Sequence, residues 1–197
     1  MITKNKKGST ALTIVFVLLG IIMILGTFLA GTYNTLVGLD TDVENEWAKV
    51  QTSYERRLDL IPNLVATVKG SADFEKDTQT KVAEMRSGVR SASSVADMQK
   101  VDGQMATLMS GINIQVEAYP ELKSTTNFLA LQDEIAGTEN RISWARNNYN
   151  DAVKTYKFTV RSFPTNILAK MYGFSESKWE TYEAKDAADE APVVSFD

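Results

Sequence analysis

The sequence predicts an all-α protein in which an N-terminal transmembrane helix continues into an elongated antiparallel bundle of three long helices, followed by a short C-terminal helix. Three observations point there. Gly8 to Leu39 carries no charge; apolar residues then recur at alternating steps of three and four; and Pro120, Pro164 and Gly173 stand where those stretches stop.

Crossing the hydrocarbon core as a helix takes roughly 20 apolar residues, and Ala11 to Ala30 meets that length with only Thr13 and Thr27 polar. A helical threonine returns its hydroxyl bond to its own backbone, so neither breaks the span. A cleaved signal peptide would have an apolar region of about 7 to 15 residues and small residues before the cut. Here the run is longer and Phe28 or Leu29 stands where a small residue is required, which favours a retained signal anchor at 11–31. The chain has no cysteine, so lipidation at a thiol does not supply the anchor. Basic residues flanking a span stay on the cytoplasmic side. Lys4, Lys6 and Lys7 precede it and Asp40, Asp42 and Glu44 follow, so the expected topology is single-pass, with residues 1–10 cytoplasmic and the bundle extracytoplasmic.

The first bundle stripe is Val43, Trp47, Val50, Tyr54, Arg57, Ile61, Leu64 and Val68, the seam period of packed helices. Pro62 removes one backbone bond and crowds the preceding turn, so a bend near Leu58 is expected rather than a stop. Gly70 is not expected to end the helix either, because Phe74, Thr78, Val82, Met85 and Val89 extend the stripe toward Gly88. Leu36 and Asp40 fall in register with Val43, so the span is expected to pass directly into this helix as a stalk. The second stripe is Met98, Val101, Met105, Leu108, Ile112, Gln115 and Tyr119, with Ser94 and Asp97 as an acidic capping box and Gly103 and Gly111 either tolerated or marking a close helix approach. The third runs from Phe128 through Leu131, Ile135, Thr138, Ile142, Ala145, Tyr149, Ala152, Tyr156 and Thr159 to Phe163, after capable N-caps at Ser124, Thr125 and Thr126. Pro164 ends it and opens a short helix, Thr165 to Tyr172, closed by Gly173. The bundle domain is thus 32–174, and the acidic, Ala-rich 175–197 is expected to be a mostly disordered tail.

The chain has no histidine and no cysteine, which removes the commonest general base, the thiol nucleophile and the usual zinc ligands. Carboxylate pairs such as Glu55 with Asp59 suit a solvated helix face better than a reaction centre. No catalytic, cofactor-binding or metal site is expected, and the chain reads as not an enzyme. A net charge of −4 without a basic cluster argues against nucleic acid. The sharper polar feature is Arg57 on the first seam, because a charge facing a bundle interior needs a partner; Glu139 is the expected one. Around it a polar network or groove is expected from Arg56, Arg57, Asp59, Asn63, Glu139, Asn140 and Arg141, either as a salt bridge fixing helix register or as a receptor for a partner's tail. Trp47, Trp144 and Tyr149 are core if they face inward and interface anchors if they project outward; Trp179, in the polar tail, is a candidate anchor for a membrane surface or a partner.

Six ordered segments carry a resemblance to a known family: Tyr33-Asn34-Thr35-Leu36-Val37, Glu44-Asn45-Glu46-Trp47, the stretch from Arg56 to Gly70 with Asp59-Leu60-Ile61-Pro62-Asn63-Leu64-Val65 at its centre, Tyr119-Pro120-Glu121-Leu122-Lys123, Thr138-Glu139-Asn140-Arg141-Ile142 and Ser162-Phe163-Pro164-Thr165-Asn166. Together with the ending Glu190 to Phe196 they resemble the LemA family over nearly the whole chain. The resemblance implies a helical, bacterial, membrane-anchored protein, some of whose relatives are associated with magnetosome membranes, and it supplies no catalytic residue. Many relatives carry a lipid-attachment cysteine just before the Tyr-Asn motif, where this chain has Gly31 and Thr32, in keeping with anchorage by a helix. The expected role is a scaffold or interaction protein of the bacterial plasma membrane, partnered by the lipid bilayer, by further copies of itself and by other envelope proteins. The alternative is an extracytoplasmic ligand- or peptide-binding sensor using the groove near Arg57.

Overall fold

The computed structural model describes residues 6–68, 72–118 and 125–183, and five α-helices lie among them: α1 (Lys6–Thr67), α2 (Ala72–Ser91), α3 (Val95–Ala118), α4 (Thr126–Arg161) and α5 (Thr165–Tyr172). No strand occurs among the described residues, so the all-α expectation holds. The chain divides into two compact units, one from residues 1–43 and 155–178 and the other from 44–154 and 179–197.

Helix α1 is continuous for 62 residues and includes Pro62. It carries one stretch long and apolar enough to cross a membrane, none of it buried against protein. Every described large apolar side chain from Leu12 to Leu25 is exposed, Ile24 by 69 %. Thr27 donates its hydroxyl to the carbonyls of Met23 (3.1 Å) and Ile24 (2.9 Å), so it adds no unsatisfied polar group to that stretch. The apolar stretch and the α1 turns that follow it form one unbroken helix, as expected.

The first unit packs the α1 turns after the apolar run against the end of α4, α5 and a 3-10 turn at Glu176–Lys178. Leu36, Val43, Tyr156, Leu168 and Ala169 form its core. Helix α5 has the predicted bounds, and Gly173 at φ 83° closes it. That left-handed conformation lets the Gly173 and Phe174 amides donate to Lys170 O (3.4 Å) and Ala169 O (2.9 Å), satisfying carbonyls the helix leaves open. Lys178 donates to Asp40 (2.6 Å) and the Tyr156 hydroxyl to Ser175 O (3.2 Å). Phe163, expected to close the α4 stripe, is 80 % exposed, because Val160 takes the last inward position of that helix.

The second unit is the bundle, and it corrects the expected path of the first helix. Instead of one helix from Val43 to Val89, α1 ends at Thr67 and α2 runs back along it. Asp59 pairs with Arg86 (2.7 Å), Glu55 with Arg90 (2.8 Å), and Trp47 donates to Ala92 O (3.2 Å), so rising numbers on α1 meet falling numbers on α2. Most residues of the stripe face inward as expected: Thr78, Val82, Met85 and Val89 are buried, while Phe74, in the first turn of α2, is half-buried. Periodicity reports which face is apolar, and folding back gives the α2 face something to cover where a straight extension would leave it in water. Residues 69–71 lie outside the described residues. Helix α3 returns along α2 and α4 runs antiparallel to α1, so four helical segments alternate in direction rather than three. Gly88 marks a close helix approach: a Cβ there would lie 3.0 Å from Val101 Cγ2, whereas Gly103 and Gly111 face open space.

The α3 start is the expected capping box. The Asp97 amide donates to Ser94 Oγ (3.1 Å), and Ser94 Oγ donates to the Asp97 carboxylate (2.8 Å). The Ser94 hydroxyl and then the Ser93 amide hold that carboxyl below its ordinary pKa of 3.8. Tyr119 and Ser124, at the expected end of α3 and start of α4, lie outside the described residues.

Candidate functional site

Two arginine centres lie in the bundle. At the first, Arg57 reaches across from α1 and pairs with Glu139 on α4, the predicted partner. Leu58, not Arg57, takes the fully buried position at that level, because alternate steps of three and four drift by one residue around a straight helix. Arg57 therefore sits on the seam's edge, its side chain 16 % exposed against 55 % for Glu139. Its Nε is buried and has no hydrogen-bond partner. Arg56 reaches Glu134 at 3.9 Å, and Asp59 turns to Arg86 on α2. Glu55 likewise pairs with Arg90, so the Glu55 and Asp59 carboxylates each hold an arginine. Asn63, Asn140 and Arg141 are exposed. The predicted group thus contains a real clasp, Arg57–Glu139, among residues that face other partners or solvent.

The second centre is built from residues that the sequence reading did not single out as a group. Arg146 on α4 pairs with Asp102 on α3 (3.1 Å) and donates to the Tyr54 hydroxyl, which itself donates to the other Asp102 oxygen (3.2 Å). Its guanidinium lies 5.4 Å from the Tyr54 ring centroid and 5.0 Å from that of Tyr182, within reach of cation–π attraction. Tyr182 stacks on Trp47 (6.4 Å, 23°) and meets Tyr149 edge-on (5.8 Å, 77°). Asn150 clamps the Tyr182 backbone by accepting from its amide (2.8 Å) and donating to its carbonyl (3.0 Å), and the Tyr149 hydroxyl donates to Glu180 O (2.8 Å). Glu180 and Tyr182 of the expected disordered tail are thus held on the bundle by Tyr149 and Asn150; residues 184–197 lie outside the described residues.

Burial dominates the electrostatics. It pushes the Tyr149 hydroxyl up to about 12, with Glu180 adding to the effect. It raises Tyr54 and Tyr182 further still, against the opposing pull of Arg146. For Arg146 burial opposes the charge, but Tyr54 and Asp102 outweigh it and hold the guanidinium firmly ionised. The Tyr182 hydroxyl and Arg146 Nε are buried without hydrogen-bond partners. The one signal that pointed here is that Asp102 and Arg146 each follow a seam residue, Val101 and Ala145, with opposite charge on different helices.

Trp47 and Tyr149 are core, at 9 % and 2 % exposure. Trp144 projects outward at 64 %. Trp179 is half-buried. The described residues contain no group of three His, Cys, Asp or Glu side chains able to hold a metal ion.

The profile of the LemA family matches residues 46–196. The chain belongs to the LemA family. Among its relatives, a protein named LemA from Metamycoplasma hominis is 26 % identical over 79 % of this chain and 73 % of its own length. The magnetosome protein MamQ 2 of Paramagnetospirillum magneticum is 23 % identical over 96 % of this chain and 78 % of its own. The magnetosome protein MamQ of Magnetospirillum gryphiswaldense is 21 % identical over the same shares. The LemA match takes in both arginine centres, and it begins beyond the apolar stretch of α1.

Proposed function

We propose that this LemA-family chain is a non-enzymatic scaffold of the bacterial plasma membrane, anchored by Ala11–Ala30 with its N-terminus cytoplasmic, and that its bundle self-associates and docks other envelope proteins outside the membrane. The observation that carries the reading is Trp144. It is a large aromatic side chain 64 % exposed in the middle of α4, with exposed Asn140 and Arg141 one turn before it and Asn147 beyond. Tryptophan and arginine are the residues most enriched where protein interfaces concentrate their energy. In support, the carboxylates of the Arg57 and Arg146 centres close on arginines of their own chain. The flanking charges support the orientation, with Lys4, Lys6 and Lys7 before the apolar run and Asp40 and Asp42 after it. The test is the mass of the detergent-solubilised full-length chain by light scattering with the detergent subtracted. A discrete multiple of 21.8 kDa that Trp144→Ala lowers is expected, and a monomer in both would overturn self-association.

One observation favours the second reading, a carboxylate-bearing ligand or peptide tail received beside Arg57: the buried, unbonded Arg57 Nε. It predicts a rise in Tm with succinate that Arg57→Lys abolishes.

A further inference from the structure

Helix α5 turns an apolar face outward. Leu168 and Ala169 point into the first unit, while Ile167 and Met171 stand 60 % and 63 % exposed on the opposite side, with exposed Lys170 beside them; Phe163, 80 % exposed, stands in the turn that leads into the helix. A soluble domain seldom leaves an eight-residue helix and its leading turn with this much large apolar side chain in water. The position of α5 along α1 says what meets this face. Tyr172, its last residue, packs edge-on against Tyr33 of α1, centroids 5.0 Å apart, and Phe174 packs on the same ring at 6.2 Å. Tyr33 lies three residues past Ala30, about 4.5 Å of helical rise beyond the apolar run. The polar layer on each side of a bilayer is roughly 5 to 8 Å deep. The end of α5 is therefore tied to α1 at headgroup depth, and Tyr33, Tyr172 and Phe174 form the aromatic cluster expected at that level.

We propose that α5 is an interfacial helix lying in the extracytoplasmic leaflet, with Phe163, Ile167 and Met171 among the upper acyl chains and Lys170 at the level of the lipid phosphates. The occupant of the apolar face is lipid, because the same unit carries the membrane stretch and the aromatic contact fixes the depth. Lysine suits this place, since its stem covers apolar surface while its ammonium reaches the headgroups. The anchor is then a span plus a shallow paddle, which resists rotation and tilt of the unit it belongs to. This rests on reading Ala11–Ala30 as a membrane span.

The chain has no cysteine, so single cysteines can be placed in the full-length protein and labelled with an environment-sensitive nitrobenzoxadiazole dye in phosphatidylcholine vesicles. Labels at Met171→Cys and at Ile167→Cys are expected to be quenched roughly twofold more by a nitroxide near the top of the acyl chain than by one near its methyl end, as an interfacial helix requires. A label at Ile22→Cys should show the reverse order and so reports the span separately. If the Ile22 label behaves as expected while both α5 labels respond only to aqueous iodide, the interfacial helix is overturned and the span stands. If the Ile22 label is also open to iodide, the span reading falls and the proposal with it. An α5 signal that changes with protein dilution and ignores both nitroxides would mean that a second copy covers the face, which also overturns it.

Discussion

Arg57 and Arg146 are both arginines that bridge helices of the same bundle, yet they stand in different surroundings. Arg57 is held by one carboxylate that is itself half in solvent. Arg146 is held by a carboxylate only 22 % exposed, by a buried tyrosine hydroxyl and between two aromatic rings. The first is a clasp at the rim of two helices. The second joins α1, α3, α4 and the segment around Tyr182 in one polar and aromatic knot. Arg57 is itself the less exposed side chain, 16 % against 23 %, so the difference lies in how many elements each charge joins and in how well its partner is shielded from water.

The difference is measurable. Arg146→Ala should have the largest effect, a loss of about 2 to 3 kcal/mol in urea unfolding followed by circular dichroism: removing one partner of a buried pair costs roughly 3 to 5, reduced here by residual exposure. A loss below that of Arg57→Ala would break the comparison. Tyr182→Ala should cost about 1.5 to 2 kcal/mol, less than a fully buried aromatic. It should also make the backbone at Trp179–Glu183 newly susceptible to limited proteolysis, while Arg57→Ala leaves that segment protected.

The two centres also part in alkali. Burial pushes the Tyr149 hydroxyl from its ordinary 10 up to about 12 in the folded chain, and it raises Tyr54 and Tyr182 too. A raised folded pKa means that the stabilisation is complete below pH 10 and is lost as the pH climbs through 10 toward 12. Unfolding should therefore become easier over that window, with tyrosinate absorbance rising in the same cooperative step. Removing the Arg57–Glu139 pair should leave this alkaline slope unchanged.

Arg57→Ala itself should cost at most about 1 kcal/mol, the upper end for a pair with one exposed partner. Trp144→Ala is expected to change stability by no more than about 0.5 kcal/mol while lowering the assembled mass. That would place the docking face outside both arginine centres.

The family, the apolar run, the start of α3, the bounds of α5 and the Arg57–Glu139 pair were all legible in the chain, since each depends on local spacing or on one demanding charge. Pro164 and Gly173 mark the α5 bounds by backbone rules that need no neighbours. The turn after Thr67 was not legible, because an apolar stripe continued in register looks the same whether the helix runs on or doubles back. Phe163 was read as core from period alone, although its place after the end of α4 leaves it outside.

Sequence pattern was sufficient for what neighbours along one helix decide: an all-α chain with a membrane-length stretch, capped segments and an arginine in need of a carboxylate. Folding in three dimensions settled which segments meet, and so made four bundle helices out of three stripes. It also seated Tyr182, from a segment of disorder-prone composition, between Trp47 and Arg146. Periodicity records the faces that must be covered. The partner for each face is chosen by packing among residues that are far apart in the chain.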